Sequence, residues 1–208
     1  MRLFISFILL PGFLLAQNPN KSFELIHPRL SGQLGFCIPE FYNLGFDVNM
    51  NYYAFKNKWL RLGPGAQINN FYVVNNNWFN SNNTEKTTSS ELRFNALFNI
   101  DFIPFKRSSF YIGFAPYFGY QWLNNNGNLR NDLSGINIDW NYNIHSIDVG
   151  TRYKLGGYFG KNQRYGLEVA LQISNRGVLD DNPLTSFFNF GMPTYKSYIS
   201  FAFLYRIF

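Results

Sequence analysis

Two histidines, one cysteine and a few hydroxyl and acidic side chains are the places where this chain could do chemistry. His27 and His145 have no second ligand-type side chain at metal-binding spacing. The single thiol, Cys37, allows neither an intramolecular disulfide nor a thiolate cluster. His145-Ser146-Ile147-Asp148 places a base, a nucleophile and an acid in sequence. On a strand, however, adjacent His and Ser project to opposite faces and cannot hydrogen-bond as a dyad. No glycine-rich loop for phosphate is present, and no cofactor is expected. One further stretch holds a serine among amides: Gln172-Ile173-Ser174-Asn175-Arg176-Gly177-Val178, then Asn182-Pro183. What it can do depends on the wall that carries it.

That wall is written with a period of two, which sends alternate side chains to opposite faces of a strand. From 42 to 52, Tyr42, Leu44, Phe46, Val48, Met50 and Tyr52 oppose Asn43, Gly45, Asp47, Asn49 and Asn51. From 92 to 102, Leu92, Phe94, Ala96, Phe98, Ile100 and Phe102 oppose Arg93, Asn95, Leu97, Asn99 and Asp101. The same rule, with more noise, covers 60–69, 110–122, 147–155, 165–174 and 199–207. With a first strand near Leu30 to Ile38, the expected count is eight. Helical spacing of three and four is not sustained in these runs. Short links are expected around Asn57, at 105–108 and at 156–163. Long polar loops are expected at 75–90, 124–137 and 175–193. The link after the first strand, around Pro39-Glu40, is short as well.

Composition fits a wall with one greasy and one polar face. Of 208 residues, 20% are aromatic, including 24 Phe and 14 Tyr, and only 14% are charged. A soluble domain carries roughly a quarter charged residues. The net charge of +6 is scattered, without the clustered basic patch of a nucleic-acid binder. Met1-Arg2, the apolar run Leu3–Leu15 and the small Ala16 before polar Asn18-Pro19-Asn20 predict a secretory signal peptide over 1–16. No apolar run long enough for a membrane helix follows. Strand-like runs exceed ten residues, beyond the soluble mode of about five or six. The chain ends in Phe208, which resembles the terminal aromatic signal of outer-membrane barrels. The expectation is an all-β protein: a transmembrane antiparallel up-and-down β-barrel of about eight strands over 17–208, in the outer membrane of a Gram-negative bacterium.

In such a barrel the polar face lines the interior. Asp47, Arg61, Arg93, Asp101, Asp148, Arg152, Lys154, Glu168 and Arg206 are then lumen groups, nearly balanced in charge. Eight strands leave an interior that side chains fill, so a plugged polar lumen is expected. Tyr42, Tyr52, Trp59, Trp122, Trp140 and Tyr205 are expected as interfacial girdles. The 172–182 stretch resembles the His-x-Ser-Asn motif, with a second Asn eight residues after the Ser, of the lipid A deacylases. These are eight-stranded outer-membrane barrels that remove an acyl chain from lipopolysaccharide. The resemblance implies Ser174 as nucleophile and Asn175 and Asn182 as oxyanion-supporting residues. Gln172 stands where that family has its histidine and Ser186 where it has its acid, so Ser174 lacks a base. Gln172 and Ser174 also alternate with Glu168 on the lumen side, whereas the family's site faces lipid. The leading expectation is therefore a non-enzymatic barrel that meets outer-membrane lipid and lipopolysaccharide. Its external loops, through apolar residues such as Trp78, Phe79, Phe187, Phe188 and Phe190, would contact ligands or a protein partner. A deacylase-like esterase and a small-solute channel are the alternatives.

Overall fold

The structure, a computed structural model, describes residues 29–38, 44–80, 83–104, 109–131, 135–160, 163–174 and 197–207. The expected signal peptide, Tyr42, Asn175, Asn182, Ser186, the aromatic residues 187–190 and Phe208 lie outside them. The described residues form β1 (Leu30–Ile38), β2 (Leu44–Tyr52), β3 (Phe55–Lys56), β4 (Leu60–Asn80), β5 (Asn83–Phe102), β6 (Phe110–Asn131), β7 (Ile136–Phe159), β8 (Tyr165–Ser174) and β9 (Ser197–Arg206). Apart from β2 and β3, neighbours in sequence pair antiparallel, β1 pairs with β9, and β2 pairs with β4. The sheet thus closes on itself as an eight-stranded barrel. β3 is a two-residue extension that pairs with the start of β4.

Closure follows from the period-two pattern. Each strand presents one apolar and one polar stripe, and a closed sheet gathers the polar stripes inside while pairing every backbone edge. Phe94, Phe98, Ile100 and Phe102 of β5 point outward, while Arg93, Asn95, Asn99 and Asp101 are buried inside. Along β5 the outer apolar stripe runs from Leu92 to Phe102. About ten residue steps at roughly 3.4 Å, tilted by roughly 40°, give a band about 25 Å tall. At one end the links are short. Asn57 Oδ1 accepts from the backbone N–H groups of Trp59 and Leu60, both at 2.8 Å, and turns the chain into β4. Gly160 and Gln163, both at positive φ, turn β7 into β8.

At the other end the structure corrects the sequence reading. Residues 75–90 and 124–137, expected as long loops, are mostly strand. β4 and β5 continue to Asn80 and Asn83, and β6 and β7 to Asn131 and Ile136. Among the described residues β2 pairs with β4 only as far as Tyr72, and β8 pairs with β7 only from Gly150. Beyond those points β4 to β7 continue from the barrel rim as a four-stranded sheet that is open among the described residues. The apolar alternation stops there while the backbone ladder does not, because the outer face has turned polar. Amides now bond across it: Asn124 Nδ2 to Asn143 Oδ1 at 2.8 Å, and Asn128 Nδ2 to Asn137 Oδ1 at 2.7 Å.

Closure between the first and last strands is directly testable. Leu34 and Phe203 are register partners across β1–β9 and both point outward. In a Cys37→Ser background, Leu34→Cys with Phe203→Cys should form an intramolecular disulfide on mild oxidation of the folded protein in detergent. Leu34→Cys with Phe98→Cys, on distant strands, should not. Mass spectrometry of the cross-linked peptide reads the result.

Candidate functional site

The interior is a second core made of charge. Among the described residues five carboxylates (Asp47, Glu91, Asp101, Asp148, Glu168) and four cations (Arg61, Arg93, Arg152, Lys154) are buried. A charge removed from water is tolerable only when it is paired and hydrogen-bonded, and these groups are arranged in three linked layers.

The layer nearest the short links joins Arg61 to Asp101 at 2.7 Å and Lys154 to Asp101 at 2.8 Å. Asp101 and Lys154 stand on β5 and β7, with β6 between them. Gly113 is their register neighbour on β6. A Cβ on Gly113 would lie 2.3 Å from Asp101 Oδ1 and 2.9 Å from Lys154 Cε, so the missing side chain is what lets the ion pair cross β6. Tyr53 donates its hydroxyl to Asp101 at 2.6 Å, and the Arg61 guanidinium lies over the rings of Tyr53 and Tyr111, 4.2 and 4.6 Å from the centroids.

The middle layer spans the barrel. Arg152 on β7 reaches Asp47 on β2 at 2.7 Å and Glu168 on neighbouring β8 at 3.1 Å. In the closed order β2 and β7 are four strands apart in either direction, so this side chain lies across the diameter. Asn49 donates to Asp47 at 2.6 Å, and Tyr111 donates to Glu168 at 2.5 Å. The layer nearest the open sheet centres on Arg93, which pairs with Glu91 at 2.5 Å and Asp148 at 3.2 Å.

Ser174 belongs to this last layer. It is buried on the lumen side, as its alternation with Glu168 predicted, and its hydroxyl donates to Asp148. Asp148 also accepts from Tyr117 at 3.3 Å. Gln172, two residues earlier on β8, is buried on the same side. The structure therefore brings Ser174 to a carboxylate already held by Arg93. Among the described residues it does not bring it to an imidazole: His145 is on the outer face, with Nδ1 2.6 Å from the Tyr120 hydroxyl, and His27 lies outside them. A serine proton held by an ion-paired aspartate, without a histidine between them, is not the relay that activates a nucleophile. Asn175 and Asn182 lie outside the described residues. Among the described residues no group of three His, Cys, Asp or Glu side chains could hold a metal ion.

The expected lumen charges are thus inside, with Arg206 only half-buried at the end of β9. Sequence reading missed Glu91 because the strand was begun one residue too late, at Leu92; its parity with Arg93 was the available signal. The inner tyrosines 53, 111, 117 and 198 were also missed as partners, since tyrosine reads equally well as an outward girdle residue. Tyr52, Trp59, Trp122 and Tyr205 are exposed on the outer wall as expected. Trp140 is not with them. It stands on the inner face of the open sheet, over Gly127, and donates from Nε1 to Asn125 at 3.0 Å. No known family model matches the chain, and no curated protein matches it.

Removing one member of a layer leaves its buried partners unpaired. Arg152→Ala should lower unfolding stability by about 3–5 kcal/mol, and Ser174→Ala, which removes one hydrogen bond to a charged group, by about 1–3 kcal/mol. Urea unfolding in detergent micelles measures both. Equal midpoints for Arg152→Ala and wild type would contradict the pairing described.

Proposed function

We propose that this chain is a non-enzymatic outer-membrane barrel: a closed, plugged anchor that holds a four-stranded sheet above the outer leaflet. The observation that carries this reading is a reversal of polarity along one continuous strand. On β7 from 147 to 155, the odd residues Ile147, Val149, Tyr153 and Leu155 point outward, and the even residues Asp148, Arg152 and Lys154 are buried inside. From 137 to 146 the same parity holds but the two faces exchange polarity. Asn137, Asp139, Asn141, Asn143 and His145 point outward, and Ile144 and Trp140 face inward. An outer wall that is apolar for about 25 Å and then turns to amides fits a protein that leaves hydrocarbon for water at that level. Exposed Trp122 and Tyr120 mark the change on neighbouring β6, where aromatic rings favour an interface.

The interior supports the absence of transport and catalysis. Arg152 across the diameter, with charged layers on both sides, fits an interior filled by its own paired side chains, which does not suit conduction. Among the described residues Ser174 has no imidazole beside it, and it is buried on the lumen side. The reading favours lipopolysaccharide and a protein partner as contacts of the external sheet and loops.

Four measurements test it together. The protein should fractionate with outer membranes and migrate faster unheated than boiled on detergent gels. It should give no conductance steps in planar bilayers. It should release no fatty acid from lipopolysaccharide, with Ser174→Ala indistinguishable from wild type. Recovery of folded protein in aqueous extract would overturn the location. Steady conductance, or release abolished by Ser174→Ala, would overturn the role.

A further inference from the structure

Where the outer wall changes polarity, one patch combines aromatic rings with amides and has no charged side chain of its own. Trp122 on β6 and His145 on β7 are register partners. Their rings stack, with centroids 5.7 Å apart and planes 21° apart. Tyr120 places its hydroxyl 2.6 Å from His145 Nδ1. When the phenol donates there, the imidazole proton sits on Nε2. Directly above, Asn143 Oδ1 accepts from Asn124 Nδ2 at 2.8 Å and from Trp122 Nε1 at 3.4 Å. Asn126 continues the series by donating to Asn124 at 2.7 Å. Trp122 and Tyr120 remain 44% and 47% exposed.

An anchoring belt needs only amphipathic rings at the interface. It does not need amides tied to those rings in a fixed array. Up the wall the order is apolar (Phe118, Val149), then aromatic (Tyr120, Trp122, His145), then amide (Asn124, Asn143). A lipid-linked sugar presents the matching order: acyl chain, ring, outward hydroxyls. The negative face of an aromatic ring suits the polarised C–H face of a sugar ring. Side-chain amides carry both donors and acceptors, which suits hydroxyl groups that need both. Phosphate recognition instead uses Arg or Lys, and neither is in this cluster.

We infer that Tyr120, Trp122, His145, Asn124 and Asn143 form a binding site for the saccharide headgroup of an outer-leaflet glycolipid. The inference rests on the membrane reading above. It is tested by reconstituting wild type, Trp122→Leu and Asn143→Leu into phosphatidylethanolamine vesicles that also contain either rough-type lipopolysaccharide or phosphatidylglycerol. Lipid retained by the protein after detergent extraction is then quantified. Wild type retains lipopolysaccharide in preference to phosphatidylglycerol. Each variant, with its unheated gel mobility unchanged, retains about tenfold less lipopolysaccharide, the loss expected from a hydrogen bond or two and a stacking face. Equal retention by folded variants, equal retention of phosphatidylglycerol, or no competition from delipidated oligosaccharide would each overturn the site. Failure to insert into any vesicle would strike the membrane reading itself. Insertion without glycolipid preference removes this inference alone.

Discussion

Arg152 lying across the barrel between Asp47 and Glu168 is the contact on which the interior depends. A closed sheet of eight strands has one wall facing outward and one small space within, and that space must be filled by whatever the inner stripe supplies. Here the inner stripe supplies carboxylates, guanidinium groups, amides and tyrosines. Charges on opposite walls can be desolvated together only if some side chain is long enough to join them. Arg152 does so at mid-height, and on either side of it the layers around Asp101 and Arg93 join strands one or two apart. The interior is therefore held by directional contacts, each requiring its partner in place, rather than by interchangeable apolar packing.

The same demand explains small residues among large ones on the inner face. Gly113 is a gap through which Lys154 meets Asp101, and Gly127 is a floor for the Trp140 ring. In both cases a backbone without a side chain lets groups on the two flanking strands meet or lets a neighbour fold over. The outer wall obeys a different rule, set by its surroundings and not by partners. It is apolar over the barrel proper and amide-rich over the open sheet, and β6 and β7 run through both regions without a break.

Ser174 shows how a local likeness and a tertiary position can point in different directions. Its neighbours in sequence resemble a hydrolase motif, but its neighbours in space are Asp148, Arg93 and Tyr117, the members of a structural layer. Its hydroxyl completes the hydrogen bonding of a buried carboxylate, a role that needs no activation. His145 meanwhile sits on the opposite face, among aromatic rings and amides.

Side-chain alternation marks the strands of the closed barrel and their two faces, because it is a local property of extended chain. It marked Leu30–Ile38 as the first strand and Asp47, Arg93, Asp101, Asp148 and Glu168 as inward groups. The reversal on β7 was also written there, in Ile138, Trp140 and Ile144 followed by Ile147 and Val149. It was lost because asparagine-rich stretches read as loops, although their amides bond across paired strands. Which charges meet is fixed by the folded sheet. Arg152 and Asp47 are 105 residues apart, and parity places both inside without saying that they lie across one diameter. Closure and register set that distance, and both come from long-range backbone pairing, which no local pattern encodes.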